Sequence, residues 1–276
     1  MYYLIIAAAV TVTAVLVWIN YGFKITEHTL EYNNLPQAFD GYRIVLISDL
    51  HDATFGRANA RLIQAIDAIS PDCVMMVGDM HEKSSSDQEF LTFLTDLCEK
   101  FPVYAVDGNH EKYWHNRDDY GEYLQKYLST GVKHLEGTSE LIKKDGQSIR
   151  VYGRGYHQYR DGDGENDGEY FSVALLHIPD WIDRIEAKPD LMLSGHVHGG
   201  IIRLPFIGGI LAPGYGATLI ERLDKKYFFP KYSKGVYSCG NSNLVVTVGL
   251  GKASVQPFRL LRPEITVITL KTGEKH

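Results

Sequence analysis

Tyr42-Arg43-Ile44-Val45-Leu46-Ile47-Ser48-Asp49-Leu50-His51 is a compact apolar run that stops on a carboxylate and an imidazole. A short apolar run bounded by polar residues reads as a buried strand. The same grammar recurs downstream. Asn59 to Ile69 carries apolar residues at 62, 63, 66 and 69, which is helical spacing, and Ser70-Pro71 ends that helix. Cys73 to Val77 is a second strand, stopping at Gly78-Asp79. Phe90 to Leu97 is helical again, and Val103 to Val106 is a third strand stopping at Asp107-Gly108-Asn109-His110-Glu111. This strand-helix-strand rhythm predicts α/β layering, with polar residues gathered at the carboxyl ends of the strands.

Further along, Asp118 to Leu128 and Asp180 to Glu186 read as helices, and Tyr170 to His177 ends on a lone histidine. Leu191 to Leu193 is a strand feeding Ser194-Gly195-His196-Val197-His198-Gly199-Gly200. Two imidazoles one residue apart in extended backbone share one face, and glycine lets the chain turn or approach closely. Leu244 to Val248 and Ile265 to Leu270 are the clearest later strands. Residues 161–169, rich in Asp and Gly, read as a solvated turn, because the glutamate spacing of an EF-hand is missing. The pattern predicts one catalytic domain in which a sandwich of two sheets is covered by helices.

Towards the N-terminus, Tyr2 to Ile19 is apolar except for Thr11 and Thr13. As a helix it would span about 27 Å, close to the ~30 Å of a bilayer core. Trp18 and Tyr21 lie at its end, where aromatics favour the membrane interface. No Lys or Arg precedes Lys24, as a secretory signal would require. The expected organisation is a transmembrane anchor over 1–23, a linker over 24–40 that begins strand-like and contains Leu35-Pro36, and the catalytic domain over 41–276. A cell-membrane location follows, with the face undetermined by so few charges.

Composition narrows the function. A hydrophobic content of 45% with 22% charged residues suits a packed domain. The net charge of −6 and the lack of a basic face give no support to nucleic-acid binding. Cys73, Cys98 and Cys239 are too scattered for a disulfide framework.

Five strand ends therefore offer metal-ligand types: Asp49/His51, Asp79, Asn109/His110, His177 and His196/His198. Alone, Asp79 or Asn109 reads as a turn residue and His177 as a satisfied core histidine; together they read as a site. Mixed imidazole and carboxylate ligands suit zinc, manganese or iron better than calcium. Two such ions ~3.5–4 Å apart can clamp a phosphoryl group. His81, His115, His134 and His157 lack motif support, and Glu111 is expected to orient neighbours.

In that order and number, the blocks Asp49-Leu50-His51, Gly78-Asp79, Gly108-Asn109-His110-Glu111, His177 and Gly195-His196-Val197-His198 resemble the calcineurin-like metallophosphoesterase signature. Arg203-Leu204-Pro205, Phe229-Pro230-Lys231-Tyr232 and Gly249-Leu250-Gly251 are similar to the tails of membrane-anchored bacterial members. The resemblance implies a four-layer α/β/β/α sandwich and two divalent metal ions (Mn, Fe or Zn). Asp49, His51 and His198 would hold the first ion, Asp79 would bridge, and Asn109, His177 and His196 would complete the second. His110 would contact the phosphate and protonate the leaving oxygen. The implied reaction is hydrolysis of a phosphoester or pyrophosphate bond by a metal-bound hydroxide. A phosphorylated or lipid-linked small molecule, such as a UDP-diacylglucosamine-type pyrophosphate, is the expected substrate. A nucleotide or small-molecule phosphodiesterase and a non-catalytic metal-binding scaffold are the alternatives. The apolar stretch Leu204 to Tyr215 is either a packed loop or a rim that touches lipid.

Overall fold

The computed structural model describes residues 1–20, 22–51, 53–82, 86–156, 166, 168–204, 206–213, 228–253, 256 and 259–273. Two six-stranded sheets lie face to face. The first has the order β1 (Lys24–Tyr32), β14 (Glu264–Thr272), β2 (Arg43–Ile47), β3 (Cys73–Val77), β4 (Val103–Val106), β5 (Lys133–His134). The second runs β12 (Gly235–Cys239), β13 (Ser242–Val246), β9 (Leu191–Ser194), β8 (Ser172–Leu176), β7 (Gln147–Arg154), β6 (Thr138–Lys144). β2 to β5 are parallel in one sheet, and β7, β8, β9 and β13 are parallel in the other.

The near-continuous apolar strands follow from burial on both faces, and the period of two decides which residue faces which layer. In β2, Ile44 and Leu46 enter the core between the sheets, while Val45 and Ile47 face the helices. In β8, Val173 and Leu175 face the other sheet, and Ala174 and Leu176 face outward. The first sheet is covered by α2 (Ala60–Ile69), α3 (Asp87–Cys98) and α5 (Tyr120–Ser129). Each sets one apolar stripe against the strands, as with Leu62, Ile63, Ile66 and Ile69 of α2. The Ser86 hydroxyl accepts from the Glu89 amide and caps α3.

Two expectations change. The fourth layer is not an α-helix among the described residues. Pro179–Asp183 is a 3-10 turn whose proline stands in the first turn, and Trp181 and Ile182 close the outer face. Residues 24–40, expected as a linker, belong to the sheet and core. β1 pairs in parallel with β14 over its whole length, and Leu30, Tyr32, Leu35 and Phe39 are buried. Alternation in Lys24–Tyr32 leaves one face apolar enough to dock, which a linker does not need. Over the expected anchor, 1–23, the chain forms α1 (Tyr2–Asn20), a 19-residue helix. Among the described residues no helix is long and apolar enough to cross a membrane. Most of residues 161–169, and His157, lie outside the described residues.

A candidate metal centre at the strand ends

Parallel strands deliver all their carboxyl ends to one edge, and the two sheets align theirs. β2 ends in Asp49 and His51, β3 in Asp79, β4 in Asn109 and His110, β8 in His177, and β9 in His196 and His198. Two groups form across the sheet interface: Asp49 with His51 and His198, and Asp79 with His177 and His196. A third, His51 with Asp79 and His110, joins them. Asn109 presents a buried side-chain oxygen with no hydrogen-bond partner among the described residues.

The turns that bring these side chains together are strained. Asp49, His51, Asp79, His196 and His198 all have positive φ, between 49° and 67°. That region costs of order 1–3 kcal/mol for a side-chain-bearing residue and persists where the surroundings over-determine it. Glycine is required beside them. At Gly195 a Cβ would collide with Ser48 Oγ and Asp49 Oδ2, and at Gly78 it would stand 2.8 Å from His177 Nδ1.

Hydrogen bonding fixes which ring nitrogens carry lone pairs. His177 Nδ1 donates to the Val77 carbonyl at 2.6 Å, so its Nε2 points as an acceptor at Asp79 Oδ2 and at His196 Nδ1, each 3.2 Å away. His51 Nδ1 faces Glu82 Oε1 at 2.6 Å, which aims its Nε2 at His198 Nε2, 3.2 Å away, beside Asp49 Oδ1. Acceptors converging without donors are costly in a buried site, and a cation removes the conflict. The donor set fits a divalent ion of intermediate softness.

Electrostatics agree. Burial and the neighbouring His177 push His196 down to about 3, so it is a neutral imidazole. Burial likewise holds His198 well below the usual histidine range. Burial opposes charge on Asp79, yet His177, His110 and His51 hold its carboxyl well below the usual carboxylate range. Burial also opposes a proton on His177, and Asp79 overrides it, raising His177 to about 10. The field that would hold that proton is the field that would draw in a cation.

Two residues beyond the motif ligands build the site. Glu111 accepts from the amides of Asp79, Met80 and Gly108 at 3.0, 2.8 and 2.7 Å and pins the two loops together. Glu82, which the sequence reading passed over, lies 2.6 Å from His51 Nδ1 and 2.8 Å from His110 Nδ1. Burial would raise its carboxyl, but His110 and His51 bring it down to about 2. The available signal was its place three residues after Asp79. His81 is buried away from the metal groups, against Phe90 with ring centroids 4.7 Å apart and 2.9 Å from Asp87. His115 and His134 meet Asp107 instead, at 3.0 and 2.9 Å. A cavity of about 280 Å³ opens from His51 and is lined by Leu50, Ala53, Asn59, Met80 and Phe90.

Comparison with known proteins gives the family. The family model for calcineurin-like phosphoesterases matches residues 42–200. The chain is 30% identical to "Uncharacterized metallophosphoesterase YkuE" of Bacillus subtilis (strain 168), over 90% of this chain and 85% of that protein. It is 28% identical to "Phosphodiesterase YaeI" of Escherichia coli (strain K12), over 90% of this chain and 88% of that one. It is 23% identical to "UDP-2,3-diacylglucosamine pyrophosphatase LpxG" of Chlamydia muridarum, over 83% and 84%. With its mixed α/β fold and its clustered metal-ligand side chains, this chain belongs to the calcineurin-like phosphoesterase family of metal-dependent enzymes.

Proposed function

We propose that the chain hydrolyses a phosphoester or pyrophosphate bond at a centre for two divalent ions. The observation that carries this reading is the pair of ligand groups, Asp49/His51/His198 and Asp79/His177/His196, joined through Asp79 and His51. Asp49, His51 and His198 would hold the first ion, Asn109, His177 and His196 would hold the second, and Asp79 would serve both. When bound, the ions supply positive charge at the phosphoryl oxygens and make a water acidic enough to attack. The protein's own residues do the rest. His196 and His198, held as neutral imidazoles, can donate lone pairs. Burial disfavours a proton on His110, but Glu82 and Asp79 raise its pKa above the ordinary histidine value. His110 thus keeps a proton for the leaving oxygen, a contribution worth roughly 10²–10⁴-fold.

We also propose that α1 anchors the enzyme to a membrane and that the substrate is lipid-linked, a UDP-diacylglucosamine-type pyrophosphate being the model. The uncharged run Tyr2 to Ile19 supports the anchor, and the likeness to the Chlamydia pyrophosphatase supports the substrate class. The likeness to the Escherichia coli phosphodiesterase favours a second reading, a diester of smaller size. The test is hydrolysis of bis-p-nitrophenyl phosphate and of a diacylated UDP-sugar by the purified chain with manganese, zinc or iron. Metal-stimulated turnover abolished by Asp79→Ala supports the centre. Diester turnover without pyrophosphate turnover selects the second reading. No turnover of either, with no bound metal, removes both.

A further inference from the structure

The catalytic edge is also the edge from which the N-terminal helix departs. β1 and β14 run opposite to β2, so they begin where β2, β3 and β4 end. The register confirms it: the Lys24 amide bonds Pro263 O, the Glu264 amide bonds Gly249 O, and the next residues reach the first metal group, with Gly251 N on Asp49 O at 2.5 Å. The chain leaving α1 thus enters the domain beside Asp49.

The same edge carries apolar surface that the fold does not use. β10 (Ile202–Leu204) and β11 (Gly208–Leu211) form a hairpin directly after His198, held by Ile201 N on Leu211 O and by Gln256 Nε2 on Ile201 O at 3.0 Å. Phe206 at its turn is fully exposed, Ile207 is 64% exposed, and Ile202 and Leu204 are also exposed. Phe228 and Phe229 lie alongside, bridged to Leu211 and Ile210, and Phe229 is 65% exposed. Phe206 and Phe229 both have positive φ, at 67° and 52°. A bulky side chain in left-handed backbone and in water at once is doubly unfavourable, and the described residues bury neither ring.

Cations lie on and near this surface although the chain as a whole is acidic, and one of them, Lys24, is paired with Glu264. Lys234 is within electrostatic reach of Arg203, on the hairpin, and of Lys24, at the foot of α1. Arg262 and Arg61 approach Gly22 there, and Arg262 Nη2 reaches Phe23 O at 3.5 Å. An exposed apolar tip with Arg203 on its own hairpin and Lys234 within reach of it is the chemistry that settles into the headgroup layer of an anionic membrane.

We infer that the catalytic edge faces an anionic bilayer, with Phe206 and Ile207 inserted among the headgroups, so that the metal centre opens onto the lipid surface. This deepens the membrane reading of the proposed function but does not need α1 to span. A phosphate bond at the headgroup level would then reach Asp79 without its acyl chains leaving the lipid. The opposite edge, with the Asp145-Gly146 turn between β6 and β7, faces water.

The test uses the full chain with Cys98 and Cys239 replaced by alanine and an environment-sensitive fluorophore on Ile207→Cys or Asp145→Cys. Both labelled proteins must retain the parent's circular-dichroism spectrum and cooperative thermal melting, which shows that they are folded whatever their activity. Each is mixed with phosphatidylglycerol/phosphatidylethanolamine vesicles containing a doxyl-lipid quencher. The inference expects at least about threefold stronger quenching at 207 than at 145. Flotation that depends on anionic lipid and is lost in about 1 M salt, with quenching at 207, upholds the docking edge and removes the anchor. Flotation that survives salt, with both labels equally unquenched, upholds the anchor and overturns the docking edge. Failure to float with anionic vesicles overturns both.

Discussion

The two sheets do unequal work at the edge they share. The first contributes every carboxylate and amide of the proposed centre (Asp49, Asp79, Asn109) and the carboxylates behind them, Glu82 and Glu111. The second contributes imidazoles alone: His177, His196 and His198. One half brings negative charge and a hydrogen-bonded frame, and the other brings neutral donors that burial keeps unprotonated at His196 and His198. Neither half completes either of the two proposed ion sites. The lesson is that the site is a property of the packing between the sheets, so its integrity reports on the core beneath it.

The largest expected break is at the shared carboxylate. Asp79→Ala should cost at least about 10³-fold in kcat and release both ions, because opposed imidazoles cannot offset two divalent charges. Elemental analysis beside diester hydrolysis checks it; retention of both ions would deny that Asp79 is shared. Chelation should abolish turnover to a similar extent, and restoring each divalent ion in turn identifies those the donor set accepts.

Separating the two ions sharpens the comparison. His198→Ala should deplete the first ion and His196→Ala the second, each slowing turnover by roughly 10²-fold or more. Equal loss of both ions in each variant would mean that they bind as one unit. Glu82→Gln tests the frame of the first sheet. It keeps an oxygen near His51 and His110 but removes the charge, and about 10–100-fold in kcat or metal affinity should follow. A merely structural role would lower the melting temperature and leave kcat per folded molecule and metal content unchanged. The smallest effect on turnover is expected from Leu193→Ala in the core between the sheets, which should cost about 2–5 kcal/mol of stability. Urea unfolding measures it, and activity per folded molecule at low temperature should hold.

The strand-helix rhythm from Arg43 to Val106 was legible because each strand there is short, apolar and stopped by a polar residue, while each helix keeps its 3.6-residue stripe. The ligand types were legible for the same reason, since each stands directly after such a run. The fourth layer was not. Asp180 to Glu186 has a helix-like apolar pattern, but Pro179 and tight packing of Trp181 on the second sheet make it a 3-10 turn. Over 24–40 the strand-like start was legible but its docking was not, because an edge strand need bury only one face and its partner β14 lies 240 positions further along the chain.

What the sequence determined by itself was local: period, breakers, and the donor types at each strand end, all set by neighbours a few residues apart. From these came the α/β class, the family likeness and the candidate ligands that the likeness implies. What only the tertiary structure decided was long-range. It grouped His198 with Asp49, 149 positions along the chain from it, and His196 with His177 and Asp79. It put Glu82 between His51 and His110, and it brought the foot of α1 to the catalytic edge. These are distances across two packed sheets, and they depend on register and strand direction, which burial on both faces sets and no local pattern encodes.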